Sequence, residues 1–335
     1  DSLPLTSLTI FLHLHDEGVC FVYAPACADS TRERGAPPAS AAPLLRVLSW
    51  NVFWSALDDP FGRAAIVASI DGAATARGAV PFDFVAVVEA SGDSAAGNVS
   101  QWTQFSATLS AMGAAVAHSG FEDIAIFYGS GWTLEWSVSG EFERGRPWLL
   151  AHFVRSARSQ TTTYGTYGEG GVWVMAVHLN HFFLDAPPTI DPVHPGAVLA
   201  AAFAAANEAR GVDLGAPDVA LVIMGDFNEY EWSDFPEPYR SAAQADMAAL
   251  WNTTLRGKMS DAVPPRTVSC CTKWAHGDRF STNYTEWVFE YDHVFFSSRA
   301  LALVPRGANA SGAAAPFIPY AYPGTAAPCR DAACT

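Results

Sequence analysis

Lysine is nearly missing from this chain. Lys258 and Lys273 are the only two in 335 residues, and 19 Lys plus Arg face 34 Asp plus Glu, a net charge of −15. A surface so poor in cations does not grip a phosphate backbone by charge alone, which argues against tight nucleic-acid binding through a basic face. It leaves open an anionic substrate met through a bound metal ion. Long apolar runs are missing too. Residues 3–23 are apolar in patches, but His13, His15, Asp16 and Glu17 interrupt them, whereas a membrane-spanning helix needs roughly 20 apolar residues in a row. Charged residues make up only 16% and hydrophobic residues 50%, so a large core is expected and disorder is excluded over most of the chain. No internal repeat is visible.

Six cysteines are present, at 20, 27, 270, 271, 329 and 334. Four Asn-X-Ser/Thr sequons begin at Asn98, Asn252, Asn283 and Asn309, and with the cysteines they favour a secreted, disulfide-bonded glycoprotein, or one in the lumen of the secretory pathway. Cys329 and Cys334 can close a short loop, while the adjacent Cys270 and Cys271 pair elsewhere; the connectivity stays open, and free buried thiols are the alternative. Ala26-Cys27-Ala28 is similar to a signal-cleavage site, without a basic segment before it. Because the first residue is Asp, the expectation is a processed chain or a segment of a longer one. Residues 1–43 read as an N-terminal extension, Ser/Pro/Ala-rich from 29 onward, and residues 44–335 as one domain.

That domain opens on Leu44–Asn51, a strand. Helical spacing comes next over about 62–77, with Ile66, Val67, Ile70 and Ala74 on one face. Phe82–Val88 is a buried strand ending at Glu89. Trp102, Phe105, Leu109, Met112 and Val116 again recur at helical spacing, facing a core. Further strands are expected at Ile124–Tyr128, Trp148–Val154, Val172–Leu179 and Trp287–Ser297, and helices at His194–Arg210 and about 241–251. The tail from 305 is Ala/Pro/Gly-rich, with little structure expected. Strands outnumber helices, which suggests a mixed α/β sandwich with its site at one rim.

The most informative stretch is Val219-Ala220-Leu221-Val222-Ile223-Met224-Gly225-Asp226-Phe227-Asn228. Six apolar residues form a strand buried on both faces; taken alone, the four residues from Gly225 to Asn228 read as a turn. The ends of other strands carry similar chemistry: Asn51, Glu89, His178 with Asn180, and Asp292. A carboxylate and an amide at a strand end suit a hard cation or a phosphate oxygen.

This ordered series resembles the endonuclease/exonuclease/phosphatase superfamily, whose members include deoxyribonuclease-I-like nucleases, sphingomyelinases and inositol-polyphosphate 5-phosphatases. The matching segments are Ser-Trp-Asn (49–51), Val-Val-Glu (87–89), Val-His-Leu (177–179), Gly-Asp-Phe-Asn (225–228) and Tyr-Asp-His-Val-Phe (291–295). They cover about residues 44–300, and Gly-Asp-Phe-Asn is the most specific. The resemblance implies a four-layered sandwich of two mixed β-sheets flanked by helices. It implies phosphoester cleavage assisted by Mg²⁺ (or Mn²⁺ or Ca²⁺), held by Glu89 with Asn51 beside it. Asp226 would orient or deprotonate the attacking water, Asn228 would hold the phosphate, His178 would donate to a phosphoryl oxygen, and Asp292 would orient a catalytic histidine. Asn180, His181 and Arg146 are candidates for substrate contact.

The superfamily's closing Ser-Asp-His does not come after Asp292 in this sequence. A chain truncated before its last strand, with little activity of its own, is the expectation; a member that has lost the histidine is the other reading. His293 is a poor substitute, since it should point to the opposite face from Asp292. The substrate class is a phosphoester, in nucleic acid or a phospholipid headgroup, and no protein partner is expected. A nuclease-like phosphodiesterase leads, with sphingomyelinase-like or phosphatase activity next. The absence of a Trp-Cys-Asp-Arg segment lowers the 5-phosphatase option. A glycoprotein that keeps the fold only as a binding or structural module is the alternative of a different class.

Overall fold

Strands that read as unbroken apolar runs are the ones covered on both faces. The computed structural model describes residues 6–13, 18–23, 44–51, 82–90, 99–119, 122–142, 145–156, 171–179, 194–216, 218–228 and 239–261. It also describes 64, 67, 70, 71 and short segments at 270–271, 288–289, 292–297, 301–303 and 318–321.

The strands, in chain order, are β1 (Thr6–His13), β2 (Gly18–Tyr23), β3 (Leu44–Asn51), β4 (Phe84–Val88), β5 (Gly113–His118), β6 (Asp123–Tyr128), β7 (Trp132–Glu141) and β8 (Pro147–Arg155). They continue with β9 (Val172–His178), β10 (Leu221–Asp226), β11 (Met259–Asp261), β12 (Cys270–Cys271), β13 (Val288–Phe289), β14 (Asp292–Ser297), β15 (Leu301–Leu303) and β16 (Ile318–Ala321). Among the described residues they form two large mixed sheets. The first runs β16-β2-β1-β3-β4-β6-β5 with β15 beside β1, and the second runs β11-β14-β10-β9-β8-β7. β12 and β13 pair separately.

Period-two alternation sorts each strand's residues to two faces. Leu45 and Val47 of β3, and Phe84, Ala86 and Val88 of β4, pack against Leu149, Ala151, Val174, Ala176, Val222, Met224, Val294 and Phe296 of the second sheet. Their neighbours one residue along, among them Leu48, Trp50, Val85 and Val87, face a separate layer holding Ile70, Trp102 and Leu109. On the far side of the second sheet, Met175, Val177, Leu221 and Ile223 meet Leu199, Ala202, Phe203 and Ala206 of the helix Pro195–Arg210. The result is helix, sheet, sheet, helix: the four-layered α/β sandwich expected from the sequence.

Most expected elements are present within a residue or two, and residues 64, 67, 70 and 71 are helical. Three differ. The run from Trp102 to Val116 is not one helix. Helix Val99–Phe105 stops at Ser106, which is extended (φ −102°, ψ 120°) and caps a new turn, Ala107–Ser110, by accepting the Leu109 N–H. Val116 then lies in β5, and Phe105 is 38% exposed rather than buried. β7 is a strand that the sequence reading omits, although Trp132, Leu134, Trp136 and Val138 alternate with polar residues; it is the long edge of the second sheet, buried on one face only. The tail beyond 305 contributes β16, which pairs with β2. β1 itself runs parallel to β3, from Ser7↔Leu44 to His13↔Trp50.

Two clamps secure the layers. At the sheet ends away from Glu89, Asp83 accepts from the Arg46 N–H (2.8 Å) and from Trp132 Nε1 (2.6 Å), with Arg155 3.7 Å away and stacked 4.2 Å above the Trp132 ring. Burial pushes the Asp83 carboxyl above its ordinary range despite these partners. In the outer layer, Asp246 of helix Tyr239–Ala249 accepts from the Gly196 and Ala197 N–H groups at 2.5 and 3.0 Å, an anion on the orphan donors at the start of Pro195–Arg210. Asp246→Ala is expected to lower stability by about 1–2 kcal/mol in urea unfolding.

Asp71 does the same work at Ala107–Ser110. Burial alone would raise its carboxyl, but hydrogen bonds from the Ser106 hydroxyl and the Thr108 and Ala107 N–H groups outweigh burial and hold it below the usual carboxylate range. A depressed folded value means its stabilisation is complete above the unfolded carboxylate value and is lost as pH falls through the folded one. Asp71→Asn should therefore be less stable than the parent at pH 7, with the difference in melting temperature shrinking as pH falls through the depressed folded value.

Candidate active site

The C-terminal ends of β3, β4, β9 and β10 meet at one rim, where the two sheets face each other. β3 and β4 deliver Asn51 and Glu89 from one sheet; β9 and β10 deliver His178 and Asp226 from the other. β9 and β10 are parallel neighbours in register, with His178 opposite Asp226. The Asn51 amide spans the gap, Nδ2 donating to Glu89 Oε1 at 3.2 Å and to Asp226 Oδ2 at 3.0 Å. His178 Nε2 lies 3.2 Å from Glu89 Oε1 and 3.7 Å from Asp226 Oδ2. Asn51, His178, Asp226 and Asn228 are all buried, and Glu89 is nearly so, at 12%.

Local backbone geometry explains the sequence at two of these ends. Glu89 has φ +52°, and the next residue anchors it: the Ala90 N–H donates to Asp123 O while its carbonyl accepts Trp102 Nε1, both at 3.0 Å. At Gly225-Asp226-Phe227-Asn228 the structure shows the turn that the local sequence reads as, with both polar side chains buried at the rim. The strand ends at Asp226, the Asn228 N–H folds back onto Asp226 Oδ1 at 2.9 Å, and Asn228 takes φ +47°. Asn228 Nδ2 donates to Leu179 O at 2.8 Å, tying the β9 and β10 ends together. Gly225 has φ +141°, and a Cβ there would sit 1.9 Å from Val177 O.

Two residues complete the cluster, one of which sequence reasoning missed. Glu122, on the turn before β6, is buried and lies 2.6 Å from His178 Nδ1. Nothing in its local sequence marks it, since it sits in a hairpin turn rather than at the end of an apolar run; only the hairpin's place beside β4 brings it inward. Arg146, expected to contact substrate, is buried too, with Nη1 2.7 Å from His178 Nδ1 and 3.5 Å from Glu89 Oε1. Nδ1 thus faces an acceptor in Glu122 and a donor in Arg146, and these two contacts together fix the orientation of the ring.

Of the remaining candidates, Asp292 begins β14 with its backbone paired to Asp226. His293 is buried, edge-on to Phe227 (5.6 Å) and stacked on Phe295 (5.3 Å) in the outer layer. Asn180, His181, Asn98, Asn283 and Asn309 lie outside the described residues, and Asn252 is exposed.

Gly225→Ala and Gly211→Ala make a matched test of this geometry. Gly211 also has positive φ (+66°), but its absent side chain would meet nothing. Gly211→Ala should cost about 1 kcal/mol in urea unfolding. Gly225→Ala, driven against the β9 carbonyl, should cost more than twice that.

No family model and no curated protein matches the chain. Among solved structures it is similar to the catalytic domain of human Nocturnin with bound sulfate (TM-score 0.44, 14% identity, 80% of this chain and 88% of that one). It is similar to an endonuclease/exonuclease/phosphatase family protein from Bacteroides thetaiotaomicron (0.44, 14%, 75% and 80%). A third is ANGEL2, a 2′,3′-cyclic phosphatase (0.46, 13%, 77% and 86%). The likeness to these structures is one of fold.

Proposed function

We propose that this protein hydrolyses phosphoester bonds at the β3/β4/β9/β10 rim with help from a divalent cation, Mg²⁺ in the first place. The observation that carries the reading is the meeting of Asn51, Glu89, His178 and Asp226 across two sheets, at the positions where the sequence resemblance assigns them roles. The donor set suits a hard cation. Glu89 Oε1 and Asp226 Oδ2 both contact the Asn51 amide, and a half-turn of that amide, whose O and N positions are interchangeable, adds a third oxygen. A cation held there by Glu89 and Asn51 supplies neutralisation of phosphoryl charge.

The chain's own residues account for the rest. Asp226, fixed by the Asn51 amide and the Asn228 N–H, orients the attacking water and takes its proton. His178, held on Glu122 through Nδ1, presents Nε2 to a phosphoryl oxygen and in its protonated form donates to it. The Asn228 amide has a second hydrogen besides the one on Leu179 O, which fits a role on the phosphate. Arg146 adds positive charge beside Glu89 and His178. Asp292 stays assigned to orienting a histidine. Because local Arg and a cation supply the charge, the acidic surface is no obstacle to an anionic substrate.

We further infer that the protein works outside the cytosol as a glycoprotein. Exposed Asn252 supports this. A mobility shift on glycosidase treatment, lost in Asn252→Gln, is the expected result.

The activity test offers purified protein with Mg²⁺ plasmid DNA, sphingomyelin and a chromogenic phosphodiester. Turnover of at least one is expected, with Glu89→Gln and Asp226→Asn each lowering kcat by about 10²-fold or more. No turnover of any substrate, or turnover unchanged by both substitutions, would sink the hydrolase reading and favour a binding module.

A further inference from the structure

The orientation of the His178 ring rests on Glu122 and Arg146, so the placement of Glu122 matters as much as its charge. The Glu122 side chain is 1% exposed, with Oε1 2.6 Å from His178 Nδ1 and Oε2 without a hydrogen-bond partner. A buried carboxylate with one idle oxygen gains from any shift that finds that oxygen a partner. One contact at its tip does not hold such a side chain still. The main chain beneath it has to.

Ser119 supplies that hold. It follows β5 directly, and Glu122 directly precedes β6. The Ser119 N–H donates to Glu122 O at 3.0 Å. The Ser119 hydroxyl makes two more bonds to the same residue, accepting from the Glu122 N–H and donating to Glu122 O, each at 2.9 Å. In a plain β-turn the N–H of the fourth residue goes to the main-chain carbonyl of the first. Here the hydroxyl takes that N–H, so both main-chain groups of Glu122 are fixed to Ser119. The next rung is tied as well. His118 Nδ1 lies 2.7 Å from Asp123 Oδ1, and the Asp123 carbonyl accepts the Ala90 N–H at 3.0 Å. The residue pair that carries Glu122 is thereby anchored beside the strand end that carries Glu89.

We propose that Ser119 is a positioning residue: its hydroxyl sets where the Glu122 carboxylate meets the imidazole, and so the direction in which His178 faces the substrate. Without the hydroxyl, the Glu122 N–H turns to a main-chain acceptor and carries the carboxylate away from the ring. The effect on turnover rests on the hydrolase reading, but the effect on the ring does not.

Ser119→Ala is compared with the parent, with Glu122→Gln and with the two substitutions combined. Two quantities are measured: kcat on whichever substrate the parent turns over, and the ¹⁵N signals of the His178 ring, assigned by their loss in His178→Gln. Ser119→Ala should lower kcat about 10-fold and move the ring signals in the direction in which Glu122→Gln moves them. In the Glu122→Gln background the same substitution should cost less than about 2-fold, because a residue acting through Glu122 has nothing left to act on. Ser119→Thr keeps the hydroxyl and should keep kcat within about 2-fold of the parent. If Ser119→Ala does not fold by circular dichroism, Ser119→Asn, which offers the Glu122 N–H an acceptor of different reach, carries the same comparison. Unmoved ring signals, or an equal loss of kcat in both backgrounds, would overturn the proposal. With no turnover of any substrate the hydrolase reading falls and the ring signals decide alone: a shift shared with Glu122→Gln upholds the role of Ser119, and no shift ends it.

Discussion

One side-chain amide holds the two halves of this site in register. Asn51 belongs to the first sheet and Asp226 to the second, and the bond between them closes a gap that backbone hydrogen bonds cannot cross, since sheets pack through side chains alone. Everything else at the rim depends on that meeting. Glu89 comes with Asn51 because β3 and β4 are parallel neighbours, with Asn51 opposite Val88. His178 comes with Asp226 for the same reason on the other side. Parallel pairing puts like ends together, so four strands bring four polar residues to one place.

The rim carries backbone and polar strain. Glu89 and Asn228 both adopt left-handed conformations that cost an ordinary residue of order 1–2 kcal/mol each. Glu122 and His178 are buried ionisable groups whose mutual contact is what makes their burial tolerable. Beneath them the inter-sheet layer is apolar apart from Ser49, and the stability lost at the rim is supported from there.

Much of this is legible in the sequence. Each apolar run stopping at Asn, Glu, His or Asp marks a covered strand and the polar end that it brings to the rim. The fold class comes from the same runs. The features that escape have no such signature. Glu122 lies in a hairpin turn where acidic residues are ordinary, and only its neighbour in space, His178, gives it meaning. β7 carries its signal as alternation rather than as a run, being covered on one face. The spacing from Trp102 to Val116 misleads because apolar residues three or four apart can also be shared by two short helical turns and a strand, with Ser106 as the break. Arg146 resembles a solvated loop residue; a buried guanidinium beside two carboxylates becomes reasonable only once Glu89 and Glu122 are seen to flank the same imidazole.

Gly225 has a meaning beyond its own turn. Its missing side chain lets the β9 carbonyl at Val177 come within contact of the β10 backbone, so the two strands that carry His178 and Asp226 are locked edge to edge where the chemistry would occur. The ring and the carboxylate therefore move together as one rigid jaw, and the pair Asn51 and Glu89 forms the other. The side-chain bonds from Asn51 to Asp226 and from Glu122 to His178 set how the two jaws meet. A methyl group lost from the apolar layer between them, well away from any polar atom, would be felt at the rim as a change of bite.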